Sequence, residues 1–201
     1  RVALNHTAKV GLITFSLNVA PRIAYRKNAS WDVFRNAVEA NPTTPIMDPK
    51  DPSLYYNFKG QAAGYNPLEL LKKDKSTGTT KLLDWDGTVK LNLLPLLLNK
   101  EDRQTLTTQL TFADHQYDNY NQWFRPSTST LAINAGREGE ASQDYSKSAI
   151  RTLEWVTNYA NSFGNHNFKV MAGYSYQYEQ YSGLNAANKD FPNDALEDNN
   201  L

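Results

Sequence analysis

Few side chains in this 201-residue sequence stand at spacings that could do chemistry. The three histidines, His6, His115 and His166, fall on separate segments with no HExxH or other ligand spacing, so they read as surface or turn residues and not as metal ligands. Asp84 and Asp86 lie two apart and would share one face of a strand. That geometry can present two carboxylates to a sugar, but the same pattern is ordinary on a solvated face. Asp48 and Asp51 lack the spacing of a calcium loop. The stretch Gly136-Arg137-Glu138-Gly139 lacks the strand-to-helix setting of a phosphate loop, and there is no GxSxG, Walker, GxGxxG or CxxC pattern. We therefore expect no enzyme activity, no cofactor and no metal.

One group suits binding. Tyr120, Trp123 and Phe124, with Arg125 beside them, fall in what the sequence pattern marks as a long connection. Aromatic faces stack on sugar rings or peptide side chains, and a guanidinium adds a planar fork of donors. They are the candidate substrate-binding residues. The competing reading is that they pack loop on loop or form an aromatic girdle at a membrane interface.

The elements that must position these residues are strands. In residues 168–179, Phe168, Val170, Ala172, Tyr174, Tyr176 and Tyr178 alternate with Lys169, Met171, Gly173, Ser175, Gln177 and Glu179. Successive side chains of a strand point to opposite faces, so one face is apolar and aromatic and the other largely polar. Four segments repeat the alternation: 15–25, 83–93, 106–112 and 151–159. Residues 2–10 show it more weakly. Six antiparallel strands are predicted. A one-residue slip would carry Glu154 and Lys169 onto the apolar face, so the register is specified.

Composition agrees. Tyr (12), Trp (4) and Phe (8), set among many Asn, Thr and Ser, suit strands better than a helical bundle. With 21 basic and 21 acidic side chains, nothing in the net charge suggests a nucleic-acid partner. The absence of cysteine excludes disulfides and thiolate metal sites. The apolar run 91–98 is too short for a membrane helix and is interrupted by Asn92 and Pro95. A chain opening on Arg1, without initiator Met or signal peptide, implies that something preceded it.

Connection lengths sharpen the expectation. The links at 10–13, 95–103 and 161–166 are short, whereas those at roughly 29–80, 118–147 and 183 to the end are long. Loops above ~12–15 residues are uncommon in compact soluble domains. Alternation of tight turns with large loops is the plan of a transmembrane β-barrel, whose strands need ~9–11 residues to cross the bilayer. The first long link has one predicted helix over 31–39, capped by Ser30, with Trp31, Phe34, Ala37 and Val38 on one face. Asn41-Pro42 ends it.

Three stretches carry a resemblance. Asn41-Pro42-Thr43-Thr44-Pro45-Ile46-Met47-Asp48, followed by Asn66-Pro67-Leu68, is the first; His166-Asn167-Phe168 through Gly173-Tyr174-Ser175-Tyr176-Gln177 is the second; Phe191-Pro192-Asn193-Asp194-Ala195-Leu196 is the third. Their order and spacing resemble the SusC/RagA family of TonB-linked outer-membrane transporters of Bacteroidetes. The resemblance implies an all-β fold: antiparallel strands of a transmembrane β-barrel fragment, with long extracellular loops and one short loop helix. Residues 1–201 would be a partial barrel segment without the plug domain, since large transporters of this kind have ~22 strands.

It further implies a bacterial outer-membrane location and import of glycans or peptides. The partners would be membrane lipid, a SusD-like surface lipoprotein and, through missing parts of the protein, the TonB complex. The alternative is a soluble all-β carbohydrate- or protein-binding module, in which the apolar faces form a sandwich core.

Overall fold

The computed structural model describes residues 2–29, 31–97, 104–199 and 201. These form six strands, β1 (Leu4–Val10), β2 (Ile13–Lys27), β3 (Lys75–Asn92), β4 (Gln104–Pro126), β5 (Gly139–Phe163) and β6 (His166–Lys189). They lie in a single antiparallel sheet in sequence order, β1-β2-β3-β4-β5-β6. The chain is all-β, as expected. Every predicted strand is present, and β2 to β6 run 15 to 25 residues, longer than the alternation alone indicated.

The cross-strand partners show that the alternation of all six strands is in phase. Leu4, Ala8 and Val10 of β1 stand opposite Val19, Phe15 and Ile13 of β2. On the other face Asn18 donates to Asp86 at 2.7 Å, His115 pairs with Asp84, and the hydroxyls of Thr88 and Thr111 meet at 3.1 Å. Thr108 and Thr157 share a hydrogen bond at 2.9 Å on the apolar face, where the Trp155 indole N–H also donates to Thr108. A Cβ on Gly173 would meet Val156, on the face opposite Trp155 and Tyr174. One face therefore gathers Phe15, Leu17, Trp85, Val89, Leu110, Phe112, Leu153, Trp155 and the tyrosine stripe. The other gathers Asn18, Asp84, Asp86, Thr111, His115, Glu154 and Lys169.

The chain divides into two compact units. The first comprises residues 1–23, 81–118 and 147–182, and contains the tight turns Gly11-Leu12 and Gly164-Asn165. Both glycines hold a left-handed φ, near +59°, which a residue without Cβ adopts at no steric cost. The second comprises residues 24–80, 119–146 and 183–201 and contains the long connections. It holds α1 (Trp31–Glu39), α2 (Pro67–Lys73) and α4 (Thr130–Ala135); a further turn of helix, α3 (Leu94–Leu97), belongs to the first unit. The single expected helix, α1, has the expected bounds, but among the described residues three other α-helical segments and a 3-10 turn (Glu197–Asn199) accompany it. The expected Ser30 cap and most of the 95–103 turn lie outside the described residues.

The packing of α1 departs from expectation. Phe34, Ala37 and Val38 are exposed, and Asn36 is wholly buried. Its amide donates to the Asp32 carbonyl at 2.6 Å, while its Oδ1 accepts from the Tyr65 backbone at 3.2 Å. A polar side chain that satisfies backbone groups on both sides sets this contact, and Phe34, Ala37 and Val38 face outward.

Candidate functional site

The four candidate binding residues do not sit in a loop. Pairing with β3 and β5 carries β4 through to Pro126, so Tyr120, Trp123, Phe124 and Arg125 all belong to that strand, and the second long connection shrinks to 127–138. Their side chains part company. Phe124 is buried with Ala141 and Phe191 as a small core. Arg125 is held by Asp74: its Nε lies 3.1 Å and 3.2 Å from the two carboxylate oxygens, and its Nη2 lies 2.6 Å from Oδ2. Both side chains are nearly buried, which makes this a structural fork–fork pair. Its guanidinium also stacks over the Trp123 ring at 4.9 Å. Tyr120 and Trp123 stay half-buried. Trp123 lines a depression of about 370 Å³ with Arg137, Glu140, Ser142 and Lys189.

The electrostatics of this cluster follow from burial. Removal from water raises the Asp74 carboxyl above its ordinary value, and the neighbouring Arg125 offsets only part of that. Glu140 draws in the exposed Arg137 by a charged hydrogen bond, and lies 3.9 Å from Arg125. That bond raises the Arg137 guanidinium further still. Asp74, Arg125, Glu140 and Arg137 thus form an ion chain across the ends of β3, β4 and β5.

The sequence motifs turn out to be joints. Asn66 is 1% exposed and uses every hydrogen-bonding valence of its amide. Its Oδ1 caps α2 by accepting from Leu68 and Glu69, and its Nδ2 donates to the carbonyls of Ile46 and Tyr56 at 2.7 and 3.2 Å. Pro67 occupies the first helical position, where its missing N–H costs nothing. Glu69, also 1% exposed, receives the Thr130 backbone N–H at 3.0 Å and its hydroxyl, so α2 caps α4. Asn41 accepts from the N–H and hydroxyl of Thr43, and Asp51 does the same for Ser53. The Ser53 hydroxyl lowers the Asp51 carboxyl below its ordinary value. Asp48 closes the turn onto Lys50. Asp194 accepts from the Ser127 N–H at 2.9 Å and hydroxyl at 2.7 Å.

Asp84 and Asp86 do share a face, but each is partnered, by His115 and Asn18 respectively. His6 stands opposite Leu17 on the apolar face, and His166 opens β6 beside Phe163. Among the described residues no three His, Asp or Glu side chains gather as a metal site. Sequence reading missed the Asp74–Arg125 pair and the Glu69–Thr130 cap. Neither has a local signal, because their partners lie 51 and 61 residues away.

No family model matches this chain. A stretch of 78 residues, 39% of the chain, is 35% identical to TonB-dependent receptor P3 of Formosa agariphila. The match spans 8% of that protein's length, and so links the chain only loosely to TonB-dependent receptors.

Proposed function

We propose that these 201 residues are wall and loops of a TonB-dependent importer in the bacterial outer membrane, a transporter of the SusC/RagA type that takes up glycans or peptides. One observation carries the reading: the apolar alternation of six strands falls on one sheet face, and that face is uncovered. Tyr174, Tyr176 and Tyr178 are 64%, 53% and 46% exposed. From Phe168 to Tyr178 the stripe covers eleven residues, the length that crosses a bilayer in a tilted barrel strand. Hydrocarbon is the solvent that suits such a face, and a polar lumen suits the opposite one. The partial likeness to a TonB-dependent receptor supports the same class.

In this reading the chain has no catalytic role. Membrane lipid meets the tyrosine stripe, while a SusD-like lipoprotein and the TonB complex act on the assembled transporter. Within the chain, Trp123 is the residue that would stack on a substrate; Tyr120, three positions earlier in β4, falls on the opposite face of the strand. Phe124 and Arg125 hold the platform.

A nitroxide placed alternately at Tyr176 and Ser175 of the full-length protein in proteoliposomes tests the reading. Position 176 should be accessible to oxygen dissolved in lipid, and position 175 to a water-soluble nickel chelate. Shielding of position 176 from both reagents would instead indicate a packed core and favour the soluble module.

A further inference from the structure

In the second unit Trp123 borders a depression of about 370 Å³, at the small end of ligand pockets, which run roughly 300–1,000 Å³. Period two puts Trp123 and Arg125 of β4 on one face, and likewise Glu140 and Ser142 of β5. The 3.9 Å approach of Arg125 to Glu140 Oε2 makes it the same face. Phe124 and Ala141, at the positions between, join Phe191 in the core. Arg125 stacks over the indole at 4.9 Å and is itself pinned by Asp74, yet it does not line the depression. One face of the ring is thus held in place, and the other is left to a ligand. Three polar groups there are unspent. Among the described residues the Trp123 indole N–H and the Ser142 hydroxyl make no hydrogen bond, and Glu140 accepts from Arg137 through Oε1 and not Oε2. The charges, by contrast, are spent. Arg137 and Glu140 neutralise each other, and of the charged lining residues only the exposed Lys189 makes no ion pair among the described residues.

We propose that this depression is a subsite for one residue of a neutral glycan, its pyranose ring stacked on the open face of Trp123. The proposal rests on the importer reading above and selects between the two substrate classes which that reading leaves open. The C–H face of a pyranose is weakly positive and matches the negative face of an indole. Its hydroxyls both donate and accept, and so suit a set made of an N–H, a hydroxyl and a carboxylate oxygen. A charged ligand would have to displace the Arg137–Glu140 pair or rely on Lys189 alone, so an uncharged ring fits best. An extended peptide binds a sheet by adding to its edge, and β4 and β5 lie inside the sheet with no edge to offer. Arg125 and Asp74 fix the indole beforehand, which lowers the ordering cost of binding.

The test uses the full-length protein in phosphatidylcholine nanodiscs, with methyl β-D-glucopyranoside as the probe and saturation-transfer difference NMR as the readout. The equatorial substituents of this sugar leave C–H groups on both ring faces. Trp123→Ala should weaken binding roughly five- to tenfold, and Ser142→Ala about threefold. Trp123→Phe, which keeps a ring, should hold most of the binding, and Lys169→Gln, in the first unit, should change nothing. Equal binding by the wild type and Trp123→Ala overturns the subsite. Loss in Trp123→Phe as complete as in Trp123→Ala assigns the effect to folding and also overturns it. Tighter binding of methyl β-D-glucuronopyranoside, the same ring with a carboxylate, overturns the neutral class. Displacement of the glucoside by equimolar N-acetyltyrosine methylamide overturns the choice of glycan over peptide. The nitroxide at Tyr176 reports on the membrane reading separately, so failure of one is distinguishable from failure of the other.

Discussion

Gly139 and Phe191 occupy one another's space. A Cβ on Gly139 would stand 3.2 Å from the Phe191 ring and 2.9 Å from Asp194 Oδ1, and the φ of Gly139, +147°, is one that side chains rarely adopt. The start of β5 is thus shaped to receive the Phe191–Asp194 segment, whose ring completes the core with Phe124 and Ala141.

Gly139→Ala should therefore unseat residues 190–199, at a cost of about 1–3 kcal/mol from overpacking and backbone strain. Hydrogen exchange of that segment and of Ser127, whose amide Asp194 accepts, should rise together. Unchanged protection of Ser127 would count against the joint.

Asn66→Ala removes a cap and the two side-chain donations to the carbonyls of Ile46 and Tyr56, of which the first keeps the Tyr56 N–H. A loss of about 2–4 kcal/mol in the local stability of the 46–73 region is expected. Asn66→Asp should restore the cap but not the two donations, and so recover only part of it. Limited proteolysis of the loop ranks the three proteins.

Arg125→Ala leaves the Asp74 carboxylate buried without its partner, at a cost of about 3 kcal/mol. The pH dependence has a definite sign. The folded value of Asp74 is raised above the unfolded ~3.9, so the folded state holds the proton more tightly. Its contribution to stability is therefore full below that value, declines as pH rises through the folded value, and is constant above it. Loss of Arg125 removes the main opposing influence and should move the decline to higher pH. Exchange rates of the α2 amides, corrected for intrinsic pH dependence, follow it. Asp51, lowered by Ser53, should respond in the opposite sense, losing its contribution on acidification.

Tyr176→Lys and Ser175→Lys place the same charge on opposite faces of β6. In the full-length protein refolded into bilayers, the first should cost ~2–4 kcal/mol and the second far less. Equal costs would remove the distinction between a lipid face and a lumen face.

Much of the sheet was legible beforehand because its information is local. Phe168 to Tyr178, Leu153 to Tyr159 and Phe15 to Tyr25 each declare their faces by period two, and the tight turn at Gly164-Asn165 declares itself by residue type. The bounds of α1 were legible for the same reason, since Asn41-Pro42 ends it. Its buried face was not, because Asn36 is an asset only when the Asp32 carbonyl and the Tyr65 amide stand on either side.

By itself, then, the sequence determined six amphipathic strands and the phase of their alternation, since side-chain direction along a strand depends on nothing beyond the strand. Only the tertiary structure decided how far those strands extend, because a ladder lasts as long as its neighbour supplies hydrogen bonds. That is why Tyr120 to Arg125 lie in β4 and not in a loop. It also decided that Phe124 and Arg125 serve packing: burial and ion pairing are properties of partners that lie tens of residues away.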